Sequence, residues 1–183
     1  MNVNVRNPLV RMLLCSIQHY DHEKYWRMRR EVVNPESRVP KVIRYLYLFK
    51  IKRMDAYNNA SMGTDLGAGA KFDSPPNLVH GLNGILVSHF AQIGEGCVLH
   101  QQVTIAQGFT DEAAIIGKNC YIGAGAKIIG KVHIGDNVKI GANAVVVHDL
   151  PDNCTAVGVP ARVVKLFGKR MDESTVCNDV PTI

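Results

Sequence analysis

The sequence lacks the features that would place it in a membrane or in an oxidising compartment. No run of about 18 apolar residues occurs among its 183 residues, so no segment predicts a transmembrane helix. The N-terminus has no long apolar stretch and no small-residue cleavage site, so we predict no secretory signal. The five cysteines are odd in number and lack paired spacing, which indicates reduced thiols and a cytoplasmic protein.

Glycine is absent from residues 1–62, whereas all 16 glycines lie in residues 63–183. Charge divides at the same place, because residues 1–62 hold 12 Lys/Arg against 5 Asp/Glu and the remainder holds 9 against 11. We therefore divide the chain into an N-terminal region (1–62), a second domain (63–166) and a C-terminal tail (167–183).

The glycine-free region predicts two helices. The first covers residues 16–33, with Ser16 as N-cap and Asn34-Pro35 as the stop. The second covers residues 38–54, with Pro40 in its first turn and an apolar stripe. That stripe consists of Tyr45, Leu48, Phe49 and Ile51.

A cluster of basic residues accompanies these helices. It consists of Arg27, Arg29, Arg30, Lys50, Lys52 and Arg53. We interpret it as a solvated helix face, since most charge runs are that. Contact with a membrane surface stays open as the alternative. Nucleic acid is disfavoured, because no nucleic-acid motif accompanies the charge.

A six-residue repeat dominates the second domain. Aliphatic residues recur at Val87, Ile93, Leu99, Ile105, Ile116, Ile122, Ile128, Ile134, Ile140 and Val146. Small or β-branched residues follow four positions later at Ala91, Cys97, Val103, Cys120, Ala126, Val132, Val138 and Ala144. A less regular six-residue repeat precedes them at Leu66, Phe72 and Leu78. This period predicts a parallel β-helix, in which three hexapeptides form one triangular coil and the aliphatic residues point inward.

Two interruptions break the register of the repeat. Val87 lies nine positions after Leu78, and Ile116 lies eleven positions after Ile105. An insertion in a solenoid must leave the coil as a loop, and such loops often build the functional site. The first interruption contains His80-Gly81-Leu82-Asn83-Gly84, so we expect a site close to it.

The segment from His80 to Lys165 resembles the hexapeptide-repeat acyltransferases, in particular their serine O-acetyltransferase branch and the relatives that O-acetylate polysaccharides. The matching stretches are HGLNGILVS, VLHQQVTIA, YIGAGAKIIGKVHIGDNVKIGANAVVVHDLP and AVGVPARVVK. The resemblance implies a left-handed parallel β-helix, acetyl-CoA as acyl donor without a metal, and a homotrimer with sites between subunits.

The resemblance also implies a catalytic histidine. It assigns the general base to His80 and its supporting carboxylate to Asp65, fifteen residues earlier. Asp65 lies at the start of a hexapeptide and His80 two hexapeptides later, so we expect the two side chains to meet across one corner of the coil. Asn83 and His89, beside the first interruption, are assigned to acceptor binding.

Contacts to coenzyme A follow from the same motifs. The resemblance assigns backbone contacts to Ala106, Ala124 and Ala142, where small residues allow close approach. Lys139, Arg162 and Lys165 are assigned to the phosphates as cationic partners. A solvated strand lysine is the open alternative for Lys139.

The acceptor is where the sequence departs from the serine acetyltransferases. Val79 replaces the aspartate that precedes their catalytic histidine, and Glu112-Ala113-Ala114-Ile115 replaces the segment with their Arg-His pair. We therefore expect a hydroxyl of a sugar or polysaccharide precursor as acceptor, with serine O-acetylation in cysteine biosynthesis as the alternative. A zinc hydratase built on His80, His89 and His100, or a scaffold without catalysis, is disfavoured.

Overall fold

The computed structural model describes residues 7–171, apart from the side chain of Arg11. The tail predicted for residues 167–183 therefore lies mostly outside the described residues. Three helices come first and cover Pro8–Gln18 (α1), His22–Val33 (α2) and Lys41–Tyr57 (α3).

Eighteen short strands follow within the described residues. The first nine are Ser61–Met62 (β1), Thr64–Asp65 (β2), Ala68–Gly69 (β3), Lys71–Phe72 (β4), Asn77–Leu82 (β5), Leu86–Val87 (β6), Gln92–Ile93 (β7), Val98–Leu99 (β8) and Thr104–Ala106 (β9). The others are Ile115–Ile116 (β10), Tyr121–Ile122 (β11), Lys127–Ile129 (β12), His133–Ile134 (β13), Lys139–Ile140 (β14), Val145–Val146 (β15), Cys154–Val157 (β16), Arg162–Leu166 (β17) and Lys169–Arg170 (β18).

Three sheets form the sides of a triangular prism. Sheet 1 contains β1-β6-β9-β12-β15, sheet 2 contains β4-β7-β10-β13, and sheet 3 contains β5-β8-β11-β14-β16 followed by β17 and β18. From β6 to β14 the chain visits sheets 1, 2 and 3 in strict rotation, and neighbouring coils pair in parallel. The predicted parallel β-helix with N-terminal helices is confirmed.

The hexapeptide positions fill the interior of the prism as predicted. Every aliphatic residue of the repeat from Val87 to Val146 is buried, and so is every small residue four positions later. Equivalent residues stack in register, for example Leu99 on Ile122 and Ile122 on Ile140. The repeat thus becomes columns of side chains that bury one another, which is the main apolar burial of this domain.

The inward positions of the first coil differ from those that the less regular repeat at Leu66, Phe72 and Leu78 predicts. Leu66 is only half-buried, because Thr64–Asp65 and Ala68–Gly69 form an antiparallel hairpin. The inward position of the first level of sheet 1 belongs instead to Met62, which is fully buried and pairs with Val87. Phe72 and Leu78 do lie in sheets 2 and 3.

The helical region also differs from the prediction at both helices. Helix α3 covers Lys41–Tyr57 instead of residues 38–54, and Pro40 is its N-cap rather than part of its first turn. Residues 16–33 do not form one helix, because the chain breaks between α1 and α2, where His19 adopts a left-handed conformation with φ of 50°. The side chain of Asp21 accepts a hydrogen bond from the backbone of Lys24 and starts α2 as its N-cap. The predicted stop at Asn34 is confirmed, since α2 ends at Val33.

Helix α2 closes the N-terminal end of the prism through Arg29. Its buried guanidinium donates hydrogen bonds to Thr64 Oγ1 and to the carbonyls of Met62, Gly63 and Ala70. The open end of a β-helix exposes backbone groups that need partners. Arg29 supplies donors to that end and joins the helices to the first coil.

Candidate active site

His80 lies at the edge of the prism where sheet 3 passes into sheet 1. It is on β5, in the first interruption, and its side chain is exposed. Its ring lies 6.0 Å from that of His100, whose ring lies 4.8 Å from that of Tyr121, centroid to centroid. Among the described residues, no hydrogen-bond partner holds the His80 imidazole, so both of its nitrogens are open to a ligand. Burial, and then the neighbouring His80, lower the pKa of His100.

Small residues continue this edge along the prism axis. The register of β5, β8, β11 and β14 brings His80, Gln101, Ala124 and Ala142 into one column. The backbone pairs in the same column, with Gly125 N–H donating to the Gln101 carbonyl. The side-chain oxygen Oε1 of Gln101 is buried and has no partner in the described chain. The sequence-predicted pair Ala124 and Ala142 therefore lies on the same edge as His80.

Asp65 lies at a different edge, where sheet 1 passes into sheet 2. Its Oδ2 is 2.7 Å from Nε2 of His89, and its Oδ1 is 3.8 Å from Nζ of Lys52. Both members of the Asp65–His89 pair are about half exposed. Ala106 ends its strand at this edge as well, level with Ser88 by the pairing of β6 and β9.

The expected contact between Asp65 and His80 is wrong for a single chain. The chain runs from Asp65 through sheet 2 before it enters sheet 3, so the two residues occupy two different edges of the prism. Because β2 and β3 turn back as a hairpin, Asp65 does not open a regular coil as we assumed. The carboxylate meets the imidazole of His89 instead.

The second interruption lies next to the Asp65–His89 edge. Residues 107–112 leave the coil as an exposed loop, as predicted. Lys131 anchors this loop by an ion pair of 2.7 Å with Glu112. A groove of about 310 Å³ lies between the loop and His89, with Phe90 and Lys71 in its wall.

The remaining residues predicted to bind coenzyme A or the acceptor spread over sheet 3 and its C-terminal end. Lys139 is exposed on β14, and Lys165 is exposed on β17. Arg162 is half-buried, and its guanidinium donates to the carbonyl of Ala161. The carbonyl of Asn83 accepts from Gln102 N–H, so the first interruption is tied to the next coil.

The described part of the chain contains no set of side chains arranged to bind a metal ion. Within residues 7–171, no three His, Cys, Asp or Glu side chains come together as metal ligands would. Of the histidines considered for zinc, His80 and His100 are neighbours, whereas His89 lies on the other edge.

The sequence prediction missed His100, Tyr121 and Gln101 as members of the His80 edge. Their positions follow from stacking coils rather than from any local motif. The three extra residues of the first interruption hid this register, because they place His80 and its column neighbour, Gln101, 21 residues apart, which is not a whole number of hexapeptides.

Comparisons with known proteins agree with this architecture. Residues 113–148 match the family described as bacterial transferase hexapeptide (six repeats). A serine acetyltransferase of Synechococcus elongatus is 36% identical over 115 residues, which cover 60% of this chain and 46% of the relative. The chain is therefore similar to the hexapeptide-repeat acyltransferases, and among them to serine acetyltransferases.

Solved structures of this family extend the comparison to three dimensions. A serine acetyltransferase in complex with CoA aligns with a TM-score of 0.60 and 29% identity, covering 78% of this chain and 55% of that one. A soybean serine acetyltransferase complexed with serine aligns with a TM-score of 0.58 and 33% identity, covering 68% of this chain and 50% of that one. The chain thus spans about half the length of these acyltransferases.

Proposed function

We propose that the protein transfers an acetyl group from acetyl-CoA to a hydroxyl group, with His80 as the general base. The observation that carries this proposal is an exposed imidazole without a hydrogen-bond partner among residues 7–171, on an edge lined by Ala124 and Ala142. Small side chains on such an edge let an extended pantetheine arm approach the backbone. The solved relative in complex with CoA supports the same donor.

The chemistry needs a base because an alcohol is a poor nucleophile at neutral pH. The His80 imidazole takes the hydroxyl proton as the oxygen attacks the thioester carbonyl. The tetrahedral adduct then collapses, the carbon–sulfur bond breaks, and the imidazolium returns the proton to the leaving thiolate. Backbone N–H groups along the edge are suited to stabilise the oxyanion.

Among the described residues no carboxylate forms an ion pair with His80, and Asp65 pairs with His89, so we propose that the supporting carboxylate comes from another subunit. In a ring of three protomers with sheet 1 turned toward the axis, the His80 edge of one protomer faces the Asp65 edge of the next. Asp65 of the partner subunit then orients the imidazole and stabilises its protonated form, which is the usual role of such a carboxylate. Each site is thereby shared between two protomers, as the family resemblance implies.

L-serine is the acceptor that the relatives favour. The relatives compared above are serine acetyltransferases, and one of the solved structures is complexed with serine. The loop of residues 107–112 and the groove beside His89 lie on the edge that would face His80 across the trimer interface. We expect His89 and Glu112, which line this groove, to contact the polar groups of an amino acid.

A neutral sugar hydroxyl is the second candidate. Val79, next to His80, is uncharged, so the site lacks the carboxylate that serine acetyltransferases place there. The loop offers Glu112 but no arginine to bind a substrate carboxylate. These two positions favour an acceptor without a charged carboxylate.

Release of free CoA thiol from acetyl-CoA, in the presence of L-serine or of a panel of sugars, tests both the activity and the acceptor. We expect His80→Ala to lower kcat by about 10²–10⁴-fold, while coenzyme A still binds. His148→Ala is the matched control, because His148 is an exposed turn histidine on a later coil. Unchanged turnover in His80→Ala would remove this residue from the mechanism, and sugar turnover without serine turnover would reverse the order of acceptors.

Mixed trimers test whether the site is shared. His80→Ala and Asp65→Ala are each expected to be nearly inactive as pure trimers. Trimers co-assembled from both variants contain interfaces with His80 on one side and Asp65 on the other, so activity should return. If co-assembled trimers stay as inactive as the separate variants, the two residues do not act across an interface.

A further inference from the structure

Helix α3 turns a stripe of apolar side chains away from the protein, and this stripe differs from the predicted one, whose Ile51 is buried on the opposite side. Val42, Tyr45, Leu46 and Phe49 follow the i, i+3, i+4, i+7 spacing of one helix face. Their exposed fractions are 71, 57, 55 and 65%. A surface helix normally buries such a stripe in the core of its own chain. Here nothing in the described chain covers it.

The opposite side of α3 is the buried one. It carries Arg44, Ile51 and Asp55, which pack toward α2 and the first coil. Arg44 donates to the carbonyls of Val32 and Asn34, and Asp55 accepts from Tyr25. The orientation of α3 is therefore fixed by specific polar contacts, and its outward apolar stripe follows from them.

Basic side chains border this stripe. At about 100° per residue, Lys41 lies on one flank, Lys50 on the other, and Arg53 continues the line of the stripe by one turn. All three are exposed. The only carboxylate of α3 is the buried Asp55, so the outward surface of this helix combines apolar and aromatic groups with positive charge alone.

Helix α1 exposes a second set of apolar side chains beside α3. Leu9, Leu13 and Ile17 recur every four residues and are all exposed. The C-terminal ends of the two helices meet, because the ring of His19 stacks on that of Tyr57 with centroids 4.0 Å apart. Within the described chain, no helix is long and apolar enough to cross a membrane.

We propose that the outward face of α3 (Val42, Tyr45, Leu46 and Phe49 with Lys41, Lys50 and Arg53), together with α1, binds to the surface of an anionic lipid membrane. A helix with an apolar face, aromatic residues and flanking lysines lies in the plane of the interface, with its apolar side among the acyl chains and its cations at the headgroups. Burial of these exposed side chains supplies the hydrophobic part of the binding.

The charge of this face favours an anionic membrane over a second copy of the chain as its binding partner. A two-fold contact through the same face would bring Lys41, Lys50 and Arg53 close to their own counterparts without carboxylates between them. Anionic headgroups complement those cations instead. The residues of this face do not include His80 or Asp65, although Lys52 on the flank of α3 lies 3.8 Å from Asp65. Vesicle binding is measured without substrates, so the test does not depend on the acetyltransferase activity.

Co-sedimentation of the full-length protein with vesicles tests the proposal. We expect binding to vesicles of phosphatidylglycerol and phosphatidylcholine, and much weaker binding to phosphatidylcholine alone. Lys50→Glu with Arg53→Glu should weaken binding by at least about 20-fold, since each cation near the surface is worth roughly five-fold. Leu46→Ser with Phe49→Ser should lower binding by about ten-fold or more at unchanged charge.

Phe167→Ser is the matched control, because Phe167 is an exposed aromatic residue in a turn at the far end of the chain. It should bind vesicles like the unaltered protein. Light scattering after gel filtration accompanies each variant. The proposal is overturned if the unaltered protein does not bind anionic vesicles, or if the Phe167→Ser control loses binding as much as the α3 variants do. It is also overturned if Leu46→Ser with Phe49→Ser dissociates an oligomer of the protein and that oligomer does not bind lipid.

Discussion

Replacing Arg29 by alanine should lower the free energy of unfolding, because Arg29 joins the helical region to the first coil of the β-helix. The guanidinium makes three hydrogen bonds of 2.7–3.3 Å to backbone carbonyls of the first coil, and a fourth of 3.0 Å to Thr64 Oγ1. Its central carbon also lies 4.7 Å from the ring centre of Phe72 and 5.3 Å from that of Trp26. Alanine removes all of these interactions and leaves three carbonyls without their donor.

The expected cost follows from two opposing terms. The four contacts use three N–H groups, one at Nε and two at Nη2. Hydrogen bonds from a charged group contribute about 1.5–3 kcal/mol each, so losing these three donors costs roughly 5–9 kcal/mol. Against this stands the desolvation of the cation, since burial lowers the pKa of Arg29 from 12.5 to about 10. That shift corresponds to about 3 kcal/mol. We therefore expect Arg29→Ala to lower the free energy of unfolding by about 2–6 kcal/mol.

Urea denaturation followed by circular dichroism measures this effect. Protomer concentration must be held fixed, because assembly contributes to the measured stability. Arg30→Ala is the control, since Arg30 is the exposed neighbour on the same helix, and it should stay within about 0.5 kcal/mol. A loss below about 1 kcal/mol for Arg29→Ala would refute the view that this residue closes the prism.

Two further predictions concern buried side chains. Burial raises the pKa of Asp55 from 3.8 to about 6, so its ionised form is disfavoured in the folded state and stability should fall as pH rises from about 4 to 6. Asp55→Asn keeps an acceptor for the Tyr25 hydroxyl, so it should reduce this pH dependence and raise the melting temperature at pH 7. A melting temperature below that of the unaltered protein at pH 7 would contradict this prediction. Ile122→Ala, in the centre of a fully buried column, should cost about 2–5 kcal/mol in urea denaturation. A cost no larger than that of an exposed Val159→Ala would show that the column is not the core.

Much of the β-helix could be predicted because its residues repeat their environment. Each coil places the same kind of side chain at the same inward position, so the period of six from Val87 to Val146 translates directly into sheets and columns. The prediction failed where the period is loose, at Leu66, because a two-strand hairpin there depends on how α2 and Arg29 hold the first coil.

The sequence predicted individual residues of the candidate site but not which of them lie close together. Motifs predicted His80, Asp65 and the alanines as site residues, which stays a prediction, and the interruptions indicated where loops leave the coil. Which of these residues share an edge depends on the number of coils and corners between them. The hairpin and the nine-residue interruption both change that number, so the Asp65–His89 pair and the His80–His100–Tyr121 cluster could not be derived from spacing.

The sequence by itself determined a parallel β-helix with a basic helical region before it, because hydrophobic periodicity and the distribution of glycine are local properties of the chain. Tertiary structure alone decided that Asp65 and His80 occupy different edges and that Val42 and Phe49 of α3 point outward. The reason is physical: the direction in which a helix or a corner faces is set by contacts with distant residues, such as Arg44 with Val32, and those contacts leave no periodic trace in the sequence.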